Sequence, residues 1–134
     1  MKCLVTICSK KKDESDLPLP AHLRYLGTHI EQTYDKARAA KLPMYILSGK
    51  YGLVSSEEQI PNYDYYLEAD KADELSVTLA EQIKTLGITD IDFYIENKDS
   101  WKPYIAALEK SAQEAGAALT KELLFPPVSE IKMK

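Results

Sequence analysis

The apolar positions of this chain fall into short continuous runs, separated by segments in which they recur every three or four residues. Residues 2 to 8 form the first run, rich in β-branched and apolar side chains and stopped by the polar stretch Ser9 to Asp16, which predicts a strand. From Ala21 the spacing Leu23, Leu26, Ile30, Tyr34 and Ala37 is helical, and it ends near Lys41, where Pro43 prevents continuation. Met44 to Leu47 is a second buried-strand signal. Leu75, Leu79, Ile83 and Leu86 mark one face of a helix from about Ala72 to Leu86, with Asp70 or Asp73 as its cap and Gly87 in the left-handed position beyond it. Ile88 to Glu96 reads as a third strand. Another helix follows, with Asp99 or Ser100 as cap, Pro103 in its first turn, Trp101, Tyr104 or Ile105, Leu108 and Ala112 facing inward, and Gly116 as its stop. Ala117 to Phe125 reads as the last strand before Pro126-Pro127.

Strand and helix alternate throughout, and the crossovers are long enough for parallel pairing. This predicts a single α/β domain over residues 1–134, a three-layer sandwich around a mostly parallel sheet of about four strands with right-handed crossovers. Two connections interrupt the regularity. Residues 9 to 20 hold three consecutive lysines, three acids and the extended segment Leu17-Pro18-Leu19-Pro20, and Glu57 to Leu67 holds Pro61, Asn62 and three of the nine tyrosines. Loops of this length in a compact domain usually carry function or move.

Composition narrows the class. With 134 residues the chain is long enough to bury one sizeable core without metals or disulfides. Hydrophobic residues at 45% and charged residues at 28% argue against a disordered chain. A net charge of -4 means that the overall field does not coat nucleic acid, while a local basic patch stays open. Cys3 and Cys8 fall in one strand, roughly 16 Å apart at ~3.3 Å per residue, too far for a bridge between them. Free thiols suit a reducing cytoplasm. The first apolar run is too short for a signal peptide, and no run approaches the ~20 apolar residues of a membrane span.

The candidate chemistry collects where the strand Met44 to Leu47 runs into Ser48-Gly49-Lys50-Tyr51-Gly52. A hydroxyl, two glycines, a cation and a phenol at the carboxyl end of a parallel strand lie where open α/β sheets bind ligands. Exposed amides in such a turn can hold an anion, although the spacing is neither GxxxxGK[ST] nor GxGxxG, and a plain tight turn with Gly49 or Gly52 at positive φ is the alternative. Lys10, Lys11 and Lys12 end the first strand at the same edge. They read as attraction for a phosphate-bearing ligand or a nucleic-acid backbone, or as a solvated charge run balanced by Asp13, Glu14 and Asp16. Cys8, beside Ser9, is a nucleophile if its pKa is depressed and an inert buried thiol otherwise. Asp64, among tyrosines including Tyr63, is a candidate general base or electrostatic stabiliser, or the cap of a turn. His22 and His29 have no third ligand in reach by sequence, so a metal site is rejected, and no cofactor is expected.

These residues carry a resemblance. Ile7-Cys8-Ser9-Lys10-Lys11-Lys12, Tyr25 with Gly27-Thr28, Ile46 to Val54 and Ile60 to Leu67 resemble a bacterial and phage family of unknown function. Around an LSxKYGLV…YD…L core it is similar to the peroxide-stress YaaA proteins and, more distantly, to a uracil-DNA-glycosylase-like domain of archaeosine synthase. The resemblance covers the first half of the chain. It implies a Rossmann-like or uracil-DNA-glycosylase-like fold, with a pocket built from the lysine-bearing strand end, Tyr25, the glycine turn and the Tyr-Asp segment, and a link to nucleic acid or modified nucleobases. The Pro that often precedes the Tyr-Asp pair is displaced here to Pro61. The joint expectation is a domain acting on a nucleotide, a nucleobase or a nucleic-acid end, with hydrolysis or transfer at an N-glycosidic bond as the candidate reaction. Lys10, Lys11 and Lys50 would hold phosphate, the Gly49 to Gly52 amides would position an oxygen, Tyr25 or Tyr51 would stack or donate, and Asp64 would do acid/base or electrostatic work. A non-catalytic module that senses a nucleotide or docks on a partner is the competing expectation.

Overall fold

The structure, a computed structural model, describes residues 1–63 and 71–124. Strand β1 (Lys2–Ile7) is buried from Cys3 onward on both faces, which places it inside the sheet. It pairs in parallel with β3 (Met44–Ser48) on one side and with β6 (Asp90–Ile95) on the other. Strand β7 (Ala118–Leu123) adds in parallel to β6, and β4 (Gly52–Ser55) adds antiparallel to β3. The order is β4-β3-β1-β6-β7.

Alternation along β1 sorts the core into two layers, because successive side chains of a strand point to opposite faces. Cys3, Val5 and Ile7 pack with Leu75, Leu79 and Ile83 of α3 (Ala72–Leu86) and with Ala107, Leu108 and Ala112 of α4 (Lys102–Ala115). Leu4 turns the other way, with Met44 and Ile46, against Ile30 and Ala37 of α2 (Thr28–Ala40). Helices therefore cover both faces. Each fully buried Leu, Ile or Phe here contributes ~1.5–3 kcal/mol, so the two layers hold β1 and β3 firmly in register.

Several expectations need correction. The main sheet has five strands rather than about four, and a separate two-stranded ribbon joins β2 (Leu19–Pro20) to β5 (Gln59–Ile60). The extra strand in the sheet is β4: Gly52, at φ +74, reverses the chain so that Leu53 and Val54 pair back onto Leu47 and Ile46. The helical stripe from Ala21 is broken into α1 (Ala21–Arg24) and α2, with Tyr25 extended between them. Backbone bonds from Asp13 to the Arg24 carbonyl (2.8 Å) and from Leu26 to the Lys11 carbonyl (3.0 Å) draw this stretch alongside the lysine segment, leaving Leu23 and Leu26 exposed. Leu86 is also exposed. After Gly87 (φ +72) the Ile88 amide returns to the Ile83 carbonyl at 3.0 Å, and Ile88 takes the buried place at the helix end. Of the two candidate caps of α3, Asp70 lies outside the described residues and Asp73 sits in the first turn without capping it through its side chain, and neither Asp99 nor Ser100 caps α4, because a 3₁₀ turn at Asp99–Trp101 runs directly into that helix. Gly116 is left-handed as its position after α4 requires. Cys3 and Cys8 are free thiols. No helix among the described residues is long and apolar enough to cross a membrane.

Candidate functional site

Parallel pairing brings the ends of β1 and β3 together. Ile7 lies beside Leu47, and the Cys8 amide donates to the Leu47 carbonyl at 2.9 Å, so Cys8 and Ser48 leave the sheet at the same edge. Ser48 is fully buried, and its Oγ accepts from the amides of Lys50 and Tyr51, both at 3.1 Å. That bond pair shapes the turn. It also aims Ser48 Oγ at the Tyr63 hydroxyl, 2.9 Å away, which in turn bonds to the hydroxyl of buried Tyr25.

Rings and cations enclose this hydroxyl chain. Tyr25 and Tyr51 both meet Tyr63 edge to face, with centroids 6.2 and 5.1 Å away. Lys12 Nζ lies 4.6 Å from the centre of the Tyr63 ring, and Lys50 Nζ lies 5.2 Å from it. Two ammonium groups from different loops thus face one ring, each attracted by its negative π surface. In front of Tyr63 opens a cavity of about 720 Å³ lined by Lys10, Lys11, Lys12, Asp13, Glu14, Leu26, Asn62 and Tyr63. Its size is that of a small-molecule site.

Arg24 holds the two walls of the cavity together. Its side chain is completely buried, and it donates to the carbonyls of Asp13 (2.5 Å), Ser15 (2.9 Å), Leu17 (2.5 Å) and Ile60 (3.2 Å). The first three belong to the lysine-bearing loop and the fourth to the strand that leads into Asn62 and Tyr63. A planar fork of donors suits this task, which a lysine could not perform in the same geometry.

Burial governs the electrostatics. It pushes the Tyr63 hydroxyl up to about 12, although the bonds from Ser48 and Tyr25 pull the other way. Burial raises Tyr25 as well, and it raises the Cys8 thiol against the opposing pull of the Gly49 amide, the Tyr104 hydroxyl and the Lys12 charge. At neutral pH these three groups therefore carry their protons. They are hydrogen-bonding groups rather than resident anions.

The sequence-based candidates separate accordingly. Cys8, Tyr25, Ser48, Gly49, Lys50, Tyr51 and Tyr63 converge, and Lys10 and Lys11 line the cavity. Ser9 turns its hydroxyl back to the Lys11 carbonyl (2.7 Å) and packs near Gly27. Gly52 faces α3, where a Cβ would collide with Gln82 Oε1, so its place is structural. Asp64, the proposed acid/base group, lies outside the described residues. Sequence reasoning weighed Lys12 as attraction for phosphate without giving it a holding role, placed Leu26 on a helix face rather than at the cavity, and did not notice Arg24. A lone arginine between a histidine-leucine pair and a tyrosine gives no signal of being buried. Among the described residues no group of three or more His, Cys, Asp or Glu side chains is placed to hold a metal ion.

A mixed α/β sheet with a cavity at its parallel strand ends, lined by three lysines, two acids and Tyr63, defines the class of this protein. Over residues 3–123 the chain matches the model of a family of unknown function, DUF6884, and it belongs to that family. Neither the curated proteins nor the solved structures contain a match.

Proposed function

We propose that the chain is a nucleotide-, nucleobase- or nucleic-acid-directed domain with a Rossmann-like or uracil-DNA-glycosylase-like fold. The observation that carries this reading is a cavity at the carboxyl edge of the parallel strands that Lys10, Lys11, Lys12 and Tyr63 line, with Lys50 and Tyr51 packed against the Tyr63 ring. Cations suit a phosphate and tyrosine faces suit a base, and the edge is where α/β sheets receive such ligands. The likeness to the YaaA proteins and to the archaeosine synthase domain supports the same reading. In it the Gly49 amide and Tyr25 line the pocket, and Asp64 and Tyr51 act at an N-glycosidic bond. A cytoplasmic setting belongs to the proposal, and two unpaired thiols support it.

A second reading has its own support. Tyr25, Tyr63 and Cys8 are all held protonated, which favours binding over nucleophilic attack by these groups and fits a non-catalytic nucleotide sensor. A thermal-shift screen of nucleobases, nucleosides, mono- to triphosphates and short single strands tests the shared part. A ligand at 100 times its dissociation constant adds about 2.7 kcal/mol of stability, and a screen without any shift ends the proposal. With a ligand in hand, base release measured for wild type and Asp64→Asn separates enzyme from sensor: loss of release in the variant supports catalysis, and no release by either supports sensing.

A further inference from the structure

We infer that Tyr63 is the proton donor of this site, offering its hydroxyl hydrogen to an oxygen of a phosphate-type anion held between Lys12 and Lys50. The inference deepens the reading above and rests on it for the nature of the cavity. The direction of the hydrogen bonds follows from counting. A serine hydroxyl has one hydrogen and two lone pairs. Both lone pairs of Ser48 Oγ are taken by the amides of Lys50 and Tyr51, so its hydrogen is left for the tyrosine pair and goes to Tyr63, whose oxygen stands 2.9 Å away in hydrogen-bonding geometry. Tyr25 is buried, and the Tyr63 oxygen is the acceptor that its geometry presents, so Tyr25 also donates to Tyr63. The opposite direction would leave the Tyr25 hydrogen buried without an acceptor among the described residues, at a cost of about 1–3 kcal/mol.

Tyr63 then receives two hydrogen bonds and has its own hydrogen left over. No acceptor for it stands among the described residues, and Tyr63 lines the cavity, so that hydrogen points to whatever the cavity holds. Lys10, Lys11, Lys12, Asp13 and Glu14 line the cavity with it, and the ammonium groups of Lys12 and Lys50 face its ring from the β1 loop and from the β3–β4 turn. Two cations beside one ring, and a neutral donor on that ring, suit an anion with several acceptor oxygens. A tetrahedral phosphate can address all three groups at once. Burial keeps Tyr63 protonated, so it donates and does not serve as a base.

Inorganic phosphate is the probe. Titrated into the full chain at low salt and followed by NMR, it is expected to shift the Tyr63 ring and the Lys12 and Lys50 ammonium signals. Tyr63→Phe should weaken binding about tenfold or more, as for loss of a hydrogen bond to a charged group. Tyr25→Phe should change it by less than about threefold, because Tyr25 donates to Tyr63 and not to the anion. Should Tyr63→Phe fail to fold, the Tyr63 Cζ signal of the wild type carries the test: a shift on adding phosphate supports donation by its hydroxyl, and an unmoved signal overturns it. No phosphate binding by the wild type, or a greater loss in Tyr25→Phe than in Tyr63→Phe, overturns the inference. Nucleoside and nucleotide arms keep the two readings apart. If phosphate binds through Tyr63 and no nucleoside moiety adds affinity, the nucleotide reading falls and this one stands. If nucleotides bind equally to wild type and Tyr63→Phe, the reverse holds.

Discussion

Two buried polar clusters flank the end of β1, and only one of them opens outward. On the β6 side, His29 Nε2 donates to the Ile7 carbonyl at 2.7 Å, its ring meets Trp101 edge to face at 4.9 Å, and its Nδ1 lies 3.7 Å from Glu96. Glu96 is itself engaged by Lys98 at 2.9 Å. Gly27 makes room for that ring, since a Cβ there would come within 2.8 Å of His29 Cε1. On the other side, Ser48, Tyr25 and Tyr63 form a chain that ends on a cavity beside two lysines. Histidine, glutamate and tryptophan look more like chemistry on paper than serine and tyrosine do. The difference is that the His29 Nε2 proton already has its acceptor in the Ile7 carbonyl, whereas the tyrosine chain ends on a hydrogen with no described acceptor. Buried polar groups are paired as a rule, so the end that is left over is the one the proposed site would use.

The comparison can be broken or sharpened by measurement. The largest effect is expected from Arg24→Met, which removes the donors that tie the lysine loop to the strand before Tyr63 and strands four carbonyls. Urea unfolding should show a loss of about 3 kcal/mol or more, and a variant as stable as wild type would mean that the walls stand without the clamp. Next comes Ser48→Ala, expected to cost about 1–3 kcal/mol in the same assay by leaving the Lys50 and Tyr51 amides and Tyr63 without their partner. Gly52→Ala should cost about 1–2 kcal/mol, because an L-residue resists positive φ and its Cβ would displace Gln82 from the Leu53 amide.

The histidine cluster predicts a pH effect instead. Burial lowers the pKa of His29 from 6.5, so the unfolded chain binds the extra proton more readily than the folded one. Its contribution is present in full above about 6.5 and is lost as the pH falls through the lowered value of the folded state. Urea midpoints measured from pH 8 down to 5 should fall more steeply for wild type than for His29→Phe, and parallel curves would remove His29 as the cause. The smallest effect belongs to the rim. Lys98→Ala gives up an exposed partner of Glu96 and should change stability by less than about 1 kcal/mol, with no change in phosphate binding.

Much of the fold was legible in periodicity. The runs at 2 to 8 and 44 to 47 and the stripes before Gly87 and Gly116 each report a burial pattern that a single element imposes on itself. β4 escaped notice because four residues after a glycine turn are too few for a period, and pairing with β3 alone makes them a strand. The break at Tyr25 escaped for a related reason: its helical spacing is real, and the bonds that override it come from residues 11 to 13. At the site, Cys8, Ser48, Lys50 and Tyr63 could be named from local chemistry at strand ends.

What the amino-acid order determined by itself, then, is which residues become strands and helices and which strand ends carry polar side chains. Those are short-range properties, written in the spacing of apolar positions and in glycine and proline. Only the tertiary structure decided that Lys12 and Lys50, 38 positions apart, face one ring. It alone gave Arg24 its four carbonyls and left the tyrosine chain one hydrogen to spare. Hydrogen-bond partners and cavities depend on distances between segments far apart in sequence, and those distances exist only once the core has packed.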